Sequence, residues 1–263
     1  MASESTRDRV ALVTGAGQGV GRQTALDLVR RGVAGCVIVN DYVAEKAEAV
    51  AKEVSALGGR AVAAPFDVSD TESVRSSIDA AVAQVGGVDI LVNNAGNSGT
   101  AGLTTDQSEF WASDPSEWKL WVDVNFNGVL NCTHAVLAGM VERGYGRIVT
   151  VISDAGRVGE PHLVIYSGAK AGAAGFTRAV GRSAGRHGVT ANCVALGATK
   201  TPTTAKLDEL DPQETRRALR NYSIKRFGEP TDASAAICFL AGDDAGWITT
   251  QTLPVNGGYS SAL

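Results

Sequence analysis

Tyr166 and Lys170 stand four residues apart in a stretch with helical spacing, so one helix face presents both side chains. An ammonium beside a phenol favours the phenolate, and a second cation bound nearby would add to the effect. That combination predicts a lowered tyrosine pKa and a general acid/base usable nearer neutral pH. An isolated Tyr-x-x-x-Lys pair is ordinary, a packed tyrosine with a surface lysine. Here Ser153 closes an apolar β-branched run thirteen residues earlier. Asn93-Asn94-Ala95-Gly96 closes another such run. In open α/β sheets ligands sit outside the carboxyl ends of strands, so these groups can meet at one crevice. Asn125, within Val124-Asn125-Phe126-Asn127-Gly128, falls inside the expected helix Trp118 to Glu142. Asparagine is a poor helix former, so a structural and a functional reason for it are both open.

A second constellation suits a dinucleotide. Thr14-Gly15-Ala16-Gly17-Gln18-Gly19-Val20-Gly21 follows the first apolar run and opens a helical one. Glycines there permit a tight turn and a close approach of backbone N–H groups to a pyrophosphate, at the positive end of a helix. Asp41 follows Gly21 by twenty residues, at the end of the second run, where a carboxylate can accept from a ribose hydroxyl. The same carboxylate repels a 2′-phosphate, no Lys or Arg stands at positions 40–42, and position 18 is Gln; NAD is therefore expected over NADP. A solvated turn residue or a helix cap is the structural alternative for Asp41.

The elements that must position these groups alternate in type. Strands are expected at Val10–Val13, Cys36–Asn40, Ala61–Phe66, Asp89–Val92, Arg147–Ile152, Thr190–Val194 and Gln251–Val255. Between them, helical spacing covers Gln23–Arg31, Ala44–Leu57, Thr71–Val85, Trp118–Glu142 and Ile165–His187. Alternation of this kind builds βαβ units and a parallel sheet covered on both faces. The segments Asn97–Pro115 and Ala198–Pro230 are left irregular, and loops that long are usually functional. No linker or compositional break divides the 263 residues, so one domain is expected, with a polar tail over residues 1–8.

Composition narrows the function classes. The net charge is −4, with 44% hydrophobic and 20% charged residues, which suits neither nucleic acid nor an anionic membrane surface as partner. The N-terminus lacks the apolar core of a secretory signal, and no apolar run reaches the ~20 residues of a membrane span. Cys36, Cys132, Cys193 and Cys238 are widely separated and form no CxxC pair. They read as small core residues of a cytoplasmic protein rather than as a metal or redox site.

Taken in order, these motifs resemble the single-domain short-chain dehydrogenase/reductase family, from Val10 to about Gly258. The resemblance implies a Rossmann-like, doubly wound parallel sheet of seven strands in the order 3-2-1-4-5-6-7, and a homotetramer. It assigns Gly15, Gly19 and Gly21 to the pyrophosphate, Asp67 and Val68 to adenine, and Asn94, Ala95 and Gly96 to the cofactor floor. It assigns catalysis to Asn125, Ser153, Tyr166 and Lys170. Tyr166 would exchange the proton, Ser153 hydrogen-bond the substrate oxygen, Lys170 hold the nicotinamide ribose and assist Tyr166, and Asn125 position a relay water. Gln18 and Val20 complete the phosphate turn, while Gly197, Thr199 and Thr201 fall at the carboxamide.

The chain departs from the family pattern at Leu196-Gly197, where Pro-Gly is usual, and at Asp154, where a small or apolar residue is usual. Asp154 either lines the pocket or caps a turn. His162 reads as a rim residue rather than a second base. Trp111, Trp118 and Trp121 could wall a pocket, with core packing favoured for the last two. Arg216, Arg217 and Arg220 lie where the family has a lid; a solvated face is favoured over an acyl-CoA contact. The expected activity is NAD-dependent interconversion of a small-molecule secondary alcohol and ketone. The alternatives are an NADPH-dependent 3-ketoacyl-thioester reductase and a catalytically silent dinucleotide-binding scaffold.

Overall fold

The computed structural model describes residues 9–97, 109–204, 207 and 210–261. The expected tail 1–8, most of the Asn97–Pro115 loop and part of the Ala198–Pro230 segment lie outside the described residues.

In chain order the elements are β1 (Val10–Val13), α1 (Gly19–Arg30), β2 (Cys36–Val39), α2 (Ala44–Ala56), β3 (Arg60–Ala63), α3 (Thr71–Val85) and β4 (Ile90–Asn93). Then come α4 (Pro115–Val122), a π-turn (Asp123–Asn127), α5 (Gly128–Arg143), β5 (Gly146–Ser153), α6 (Ala155–Val158) and α7 (Val164–Ala184). The last are β6 (Val189–Leu196), α8 (Pro212–Ala218), α9 (Pro230–Ala241) and β7 (Thr252–Val255). All seven strands pair in parallel in the order β3-β2-β1-β4-β5-β6-β7, as the resemblance implied.

The short β-branched runs become strands because both of their faces are covered. Ala11 and Val13 point to a core shared with α1, α2 and α9, whereas Val10 and Leu12 point to one shared with α3, α5 and α7. All four cysteines are buried. The chain changes direction across the sheet between β1 and β4. This switch point opens the crevice that the carboxyl ends of β1, β4, β5 and β6 line.

Two helical expectations need correction. The span Trp118–Glu142 is not one helix: α4 and α5 are joined by the π-turn, which inserts one extra residue around Asn125. The segment Ala198–Pro230, expected to be irregular, holds α8, and α9, where no helix was expected, follows it. Pro230 at its first turn and the reciprocal Glu229–Asp232 capping box start that helix. It packs on α1, where the Ser234 hydroxyl donates to Asp27 at 2.5 Å. Strand bounds differ by a few residues; β3 is Arg60–Ala63 rather than Ala61–Phe66.

Candidate active site

The glycine turn between β1 and α1 forms one wall of the crevice. Gly15 and Gly19 hold φ of +60° and +56°, which L-residues rarely adopt. A Cβ on Gly21 would collide with the Gly15 carbonyl and the Asn94 amide. Asn94 Nδ2 donates to the carbonyls of Thr14 and Gly15 at 2.9 and 3.0 Å, so the turn rests on the end of β4. The N–H groups of Asn94 and Ala95 both donate to Thr14 Oγ1 at 3.0 Å. Gln18, at the N-cap of α1, gives no side-chain cap, and the first turn, with Val20, has no acidic residue. Its N–H groups and their partial positive charge therefore suit a phosphate, and the cradle fits a dinucleotide.

Asp41 lies against this turn and is buried. Its two oxygens accept from Gly17 N and Val43 N, each at 3.0 Å. It is a structural fastener of the turn, not the solvated residue of the structural alternative. Beside it Lys46 Nζ donates to Gln18 Oε1 at 3.1 Å. The absence of basic residues at 40–42 thus missed an ammonium delivered by the first turn of α2. Val68 is buried and its carbonyl accepts from Asn131 at 2.9 Å. The exposed Asp67 carboxylate turns back onto Ser69. On the opposite wall Gly197 follows β6. Thr199 Oγ1 donates to the Gly197 carbonyl at 3.0 Å, and Thr201 N to Thr204 Oγ1 at 2.8 Å. The methyl of Thr201 would stand 3.3 Å from a Cβ on Gly19, so the two walls meet there.

The Ser153 side chain lies close enough to Tyr166 to act on its phenol. Ala155 N donates to Ser153 Oγ at 3.2 Å, which fixes the serine at the end of β5. Lys170 is buried; its ammonium donates to the Val151 carbonyl at 3.1 Å and stands 5.8 Å from the Tyr166 ring centre. Gly96 shows how close the next group comes: a Cβ there would lie 2.9 Å from Asn125 Oδ1 and 3.1 Å from Lys170 Nζ. Asn125 is fully buried, and its amide donates to the carbonyls of Asn97 and Trp121 at 2.9 and 3.0 Å. Four side chains from β5, α7 and the π-turn thus converge at one sheet edge, beside the floor from β4.

The electrostatics differ from the sequence expectation. Burial pushes the Tyr166 phenol up from its ordinary value, and the Ser153 side chain only partly offsets it. Burial also pushes the Lys170 ammonium down to about 8, while the nearby Cys193 opposes that shift. The expectation of a phenol lowered by Lys170 and an oxidised nicotinamide left out desolvation, which spacing does not reveal.

Of Trp111, Trp118 and Trp121, Trp121 meets Tyr166 edge-on at 6.0 Å, and Trp118 stacks on Phe110 at 5.3 Å. Neither is buried, so core packing is not their role, and Trp111 is exposed. His162 is an exposed rim residue. Asp154 stands at the N-cap of α6 but its side chain makes no cap hydrogen bond; the buried carboxylate instead grips Arg157 and residues of the C-terminal segment. No sequence signal pointed to that grip.

The short chain dehydrogenase family matches residues 9–211, and the chain belongs to that family of oxidoreductases. It is 40% identical over 254 residues to the (2S)-[(R)-hydroxy(phenyl)methyl]succinyl-CoA dehydrogenase subunit BbsD of Thauera aromatica, covering 97% of each chain. Among solved structures it resembles a gluconate 5-dehydrogenase from Burkholderia cenocepacia in complex with NADP and tartrate. There the TM-score is 0.87 and the identity 31%, covering 97% of this chain and 96% of the other. It also resembles a 3-oxoacyl-[acyl-carrier protein] reductase with bound NAD from Brucella melitensis. That match has a TM-score of 0.85 and 30% identity, covering 96% of this chain and 92% of the other. The fold is one that binds a nicotinamide dinucleotide. Among the described residues, no helix is long and apolar enough to cross a membrane.

Proposed function

We propose that the protein uses NAD to interconvert a secondary alcohol and a ketone, with Tyr166 as general acid/base. The observation that carries this reading is the convergence of Ser153 and the buried Lys170 and Asn125 on Tyr166, with an uncapped helix N-terminus at the same sheet edge. A bound nicotinamide supplies the hydride acceptor or donor. Gly15, Gly19 and Gly21 with the first turn of α1 hold the pyrophosphate, and Asp41 holds the adenosine ribose. Asp67 and Val68 border the adenine, and Gly197, Thr199 and Thr201 the carboxamide. Asn94, Ala95 and Gly96 form the floor. Lys170 holds the other ribose and favours the Tyr166 phenolate. Tyr166 takes the hydroxyl proton on oxidation and returns it on reduction. Ser153 hydrogen-bonds the substrate oxygen, and Asn125 holds a water that relays protons outward.

Asp41 supports NAD over NADP by charge, with Lys46 as a partial counterweight. The small-molecule reading places the protein in the cytoplasm as a homotetramer, with a net charge of −4 suited to neither nucleic acid nor an anionic membrane. A second reading, a 3-ketoacyl-thioester reductase using NADPH, draws on the exposed Arg216, Arg217 and Arg220 around the end of α8. Two of the relatives are also named for thioester substrates.

The test is NAD⁺ reduction over secondary alcohols graded in size and charge, hydroxyacyl-CoA included, in wild type and Tyr166→Phe. Turnover in the variant should drop on the order of 10²- to 10⁴-fold while NADH binding, followed by fluorescence, is retained. A variant that turns over like the wild type would remove Tyr166 from the chemistry. Activity confined to anionic thioesters, with NADPH preferred, would select the second reading.

A further inference from the structure

The segment after β7 folds back onto the loop after β5 through a buried ionic network. Asp154 is 3% exposed. Its Oδ1 accepts from Arg157 Nη1 at 2.7 Å, and its Oδ2 accepts from Asn256 Nδ2 at 2.6 Å and Ser260 Oγ at 3.0 Å. Arg157 also donates to Ser260 Oγ at 2.8 Å and to the Ser261 carbonyl at 2.9 Å. At the far end of the same loop the Tyr259 hydroxyl donates to Glu160 at 2.7 Å. Residues 256–261 therefore hold the loop 154–160 at both ends.

That loop also reaches the chemistry. α6 supplies the Ala155 N–H that donates to Ser153 Oγ. Its Gly156 is pressed on α7: a Cβ there would stand 2.8 Å from Lys170 Cβ. Glu160 N donates to Ser167 Oγ at 3.1 Å, one residue after Tyr166. So α6 is sandwiched between the C-terminal segment and the helix carrying Tyr166 and Lys170. A buried ion pair with filled hydrogen bonds fixes a geometry more firmly than it adds stability, and losing one partner leaves the other uncompensated.

We propose that Asp154 is a positioning residue: with Arg157, Asn256 and Ser260 it latches segment 256–261 onto α6, and α6 aims the Ser153 hydroxyl at the reacting oxygen. The inference rests on the oxidoreductase reading above, with Ser153 as the group acted through.

The test uses the full chain, with Ser260→Ala as the mild variant and Asp154→Asn as the strong one. Each is made alone and in a Ser153→Ala background. A serine aimed less well weakens a contact that tightens in the transition state, so kcat falls while KM stays. The expected loss in kcat is about tenfold for Ser260→Ala and up to about a hundredfold for Asp154→Asn. In the Ser153→Ala background neither change should lower kcat further, because the group it acts through is gone. The inference is overturned by an unchanged kcat, by an effect confined to KM, or by losses that add in full to that of Ser153→Ala. If Asp154→Asn does not fold, Ser260→Ala decides alone. An enzyme that depends on Tyr166 yet ignores these variants sinks only the latch; turnover without Tyr166 sinks the oxidoreductase mechanism itself.

Discussion

At the residue scale the site is governed by what burial does to a phenol and an amine. Tyr166 is pushed up by desolvation, and the Ser153 hydroxyl is the group that pulls it back. Lys170, forced down to about 8, carries a weaker positive charge near that pH than an exposed lysine would. Alcohol oxidation needs the phenolate, so its rate rises with pH through the tyrosine pKa. Removing the serine hydroxyl raises that pKa further, and the ascending limb must therefore move to higher pH. For Ser153→Ala we expect a displacement toward alkaline pH, besides a lower plateau. The pH dependence of kcat/KM for NAD⁺-linked oxidation, measured in both proteins, checks this. A limb that stays in place or moves toward acid contradicts the assigned coupling.

At the element scale, cofactor choice belongs to the corner where β2 ends, the glycine turn passes and α2 begins. Asp41 stitches Gly17 to Val43 there, and Lys46 lies one helical turn further on against Gln18. Replacing Asp41 by Ser removes the charge that opposes a 2′-phosphate and leaves Lys46 to attract it. Asp41→Ser should raise KM for NAD⁺ about tenfold and improve NADP⁺ use, and adding Lys46→Ala should cancel that improvement. The kcat/KM ratio of the two cofactors across the three proteins measures it; an unchanged ratio in Asp41→Ser would remove this corner from specificity. The strands were legible in the sequence because a strand buried on both faces is written as a short unbroken apolar run. Tyr166 and Lys170 were legible because a helix turns their spacing into adjacency. The π-turn was not, since the extra residue leaves no mark in the spacing around Asn125. Helix α9 was missed because Ala233 to Ala241 is apolar on nearly every side, as befits a helix between α1 and the sheet, and so shows little periodicity. The Asp154–Asn256 contact joins residues a hundred positions apart, a distance over which local pattern is silent.

On the scale of the whole molecule the two ends of the sheet do different work. At the amino ends of the strands, Tyr145 lies between the guanidinium groups of Arg9 and Arg147, at 4.4 and 4.3 Å from its ring centre, and Asp243 pairs with Arg9. That end is closed by stabilising contacts, whereas the carboxyl ends carry the glycine turn, the four converging side chains and the C-terminal latch. The β7 edge differs from both. Trp247 is 100% exposed, with Phe239 of α9 and Leu253 of β7 also exposed nearby in sequence. Pro254 lacks an N–H and weakens β7 as a template for another strand, so association there should run through side chains rather than through an extended sheet. A large indole wholly in water gains by burial against a second copy. In the proposed homotetramer, Trp247→Lys should shift the assembly toward smaller species at micromolar concentration. The fold should be undisturbed, because that side chain contributes nothing to the core of one chain. Sedimentation velocity beside far-ultraviolet circular dichroism separates the outcomes. A variant as fully assembled as the wild type would move the interface off this edge, and a monomeric wild type would end the tetramer proposal.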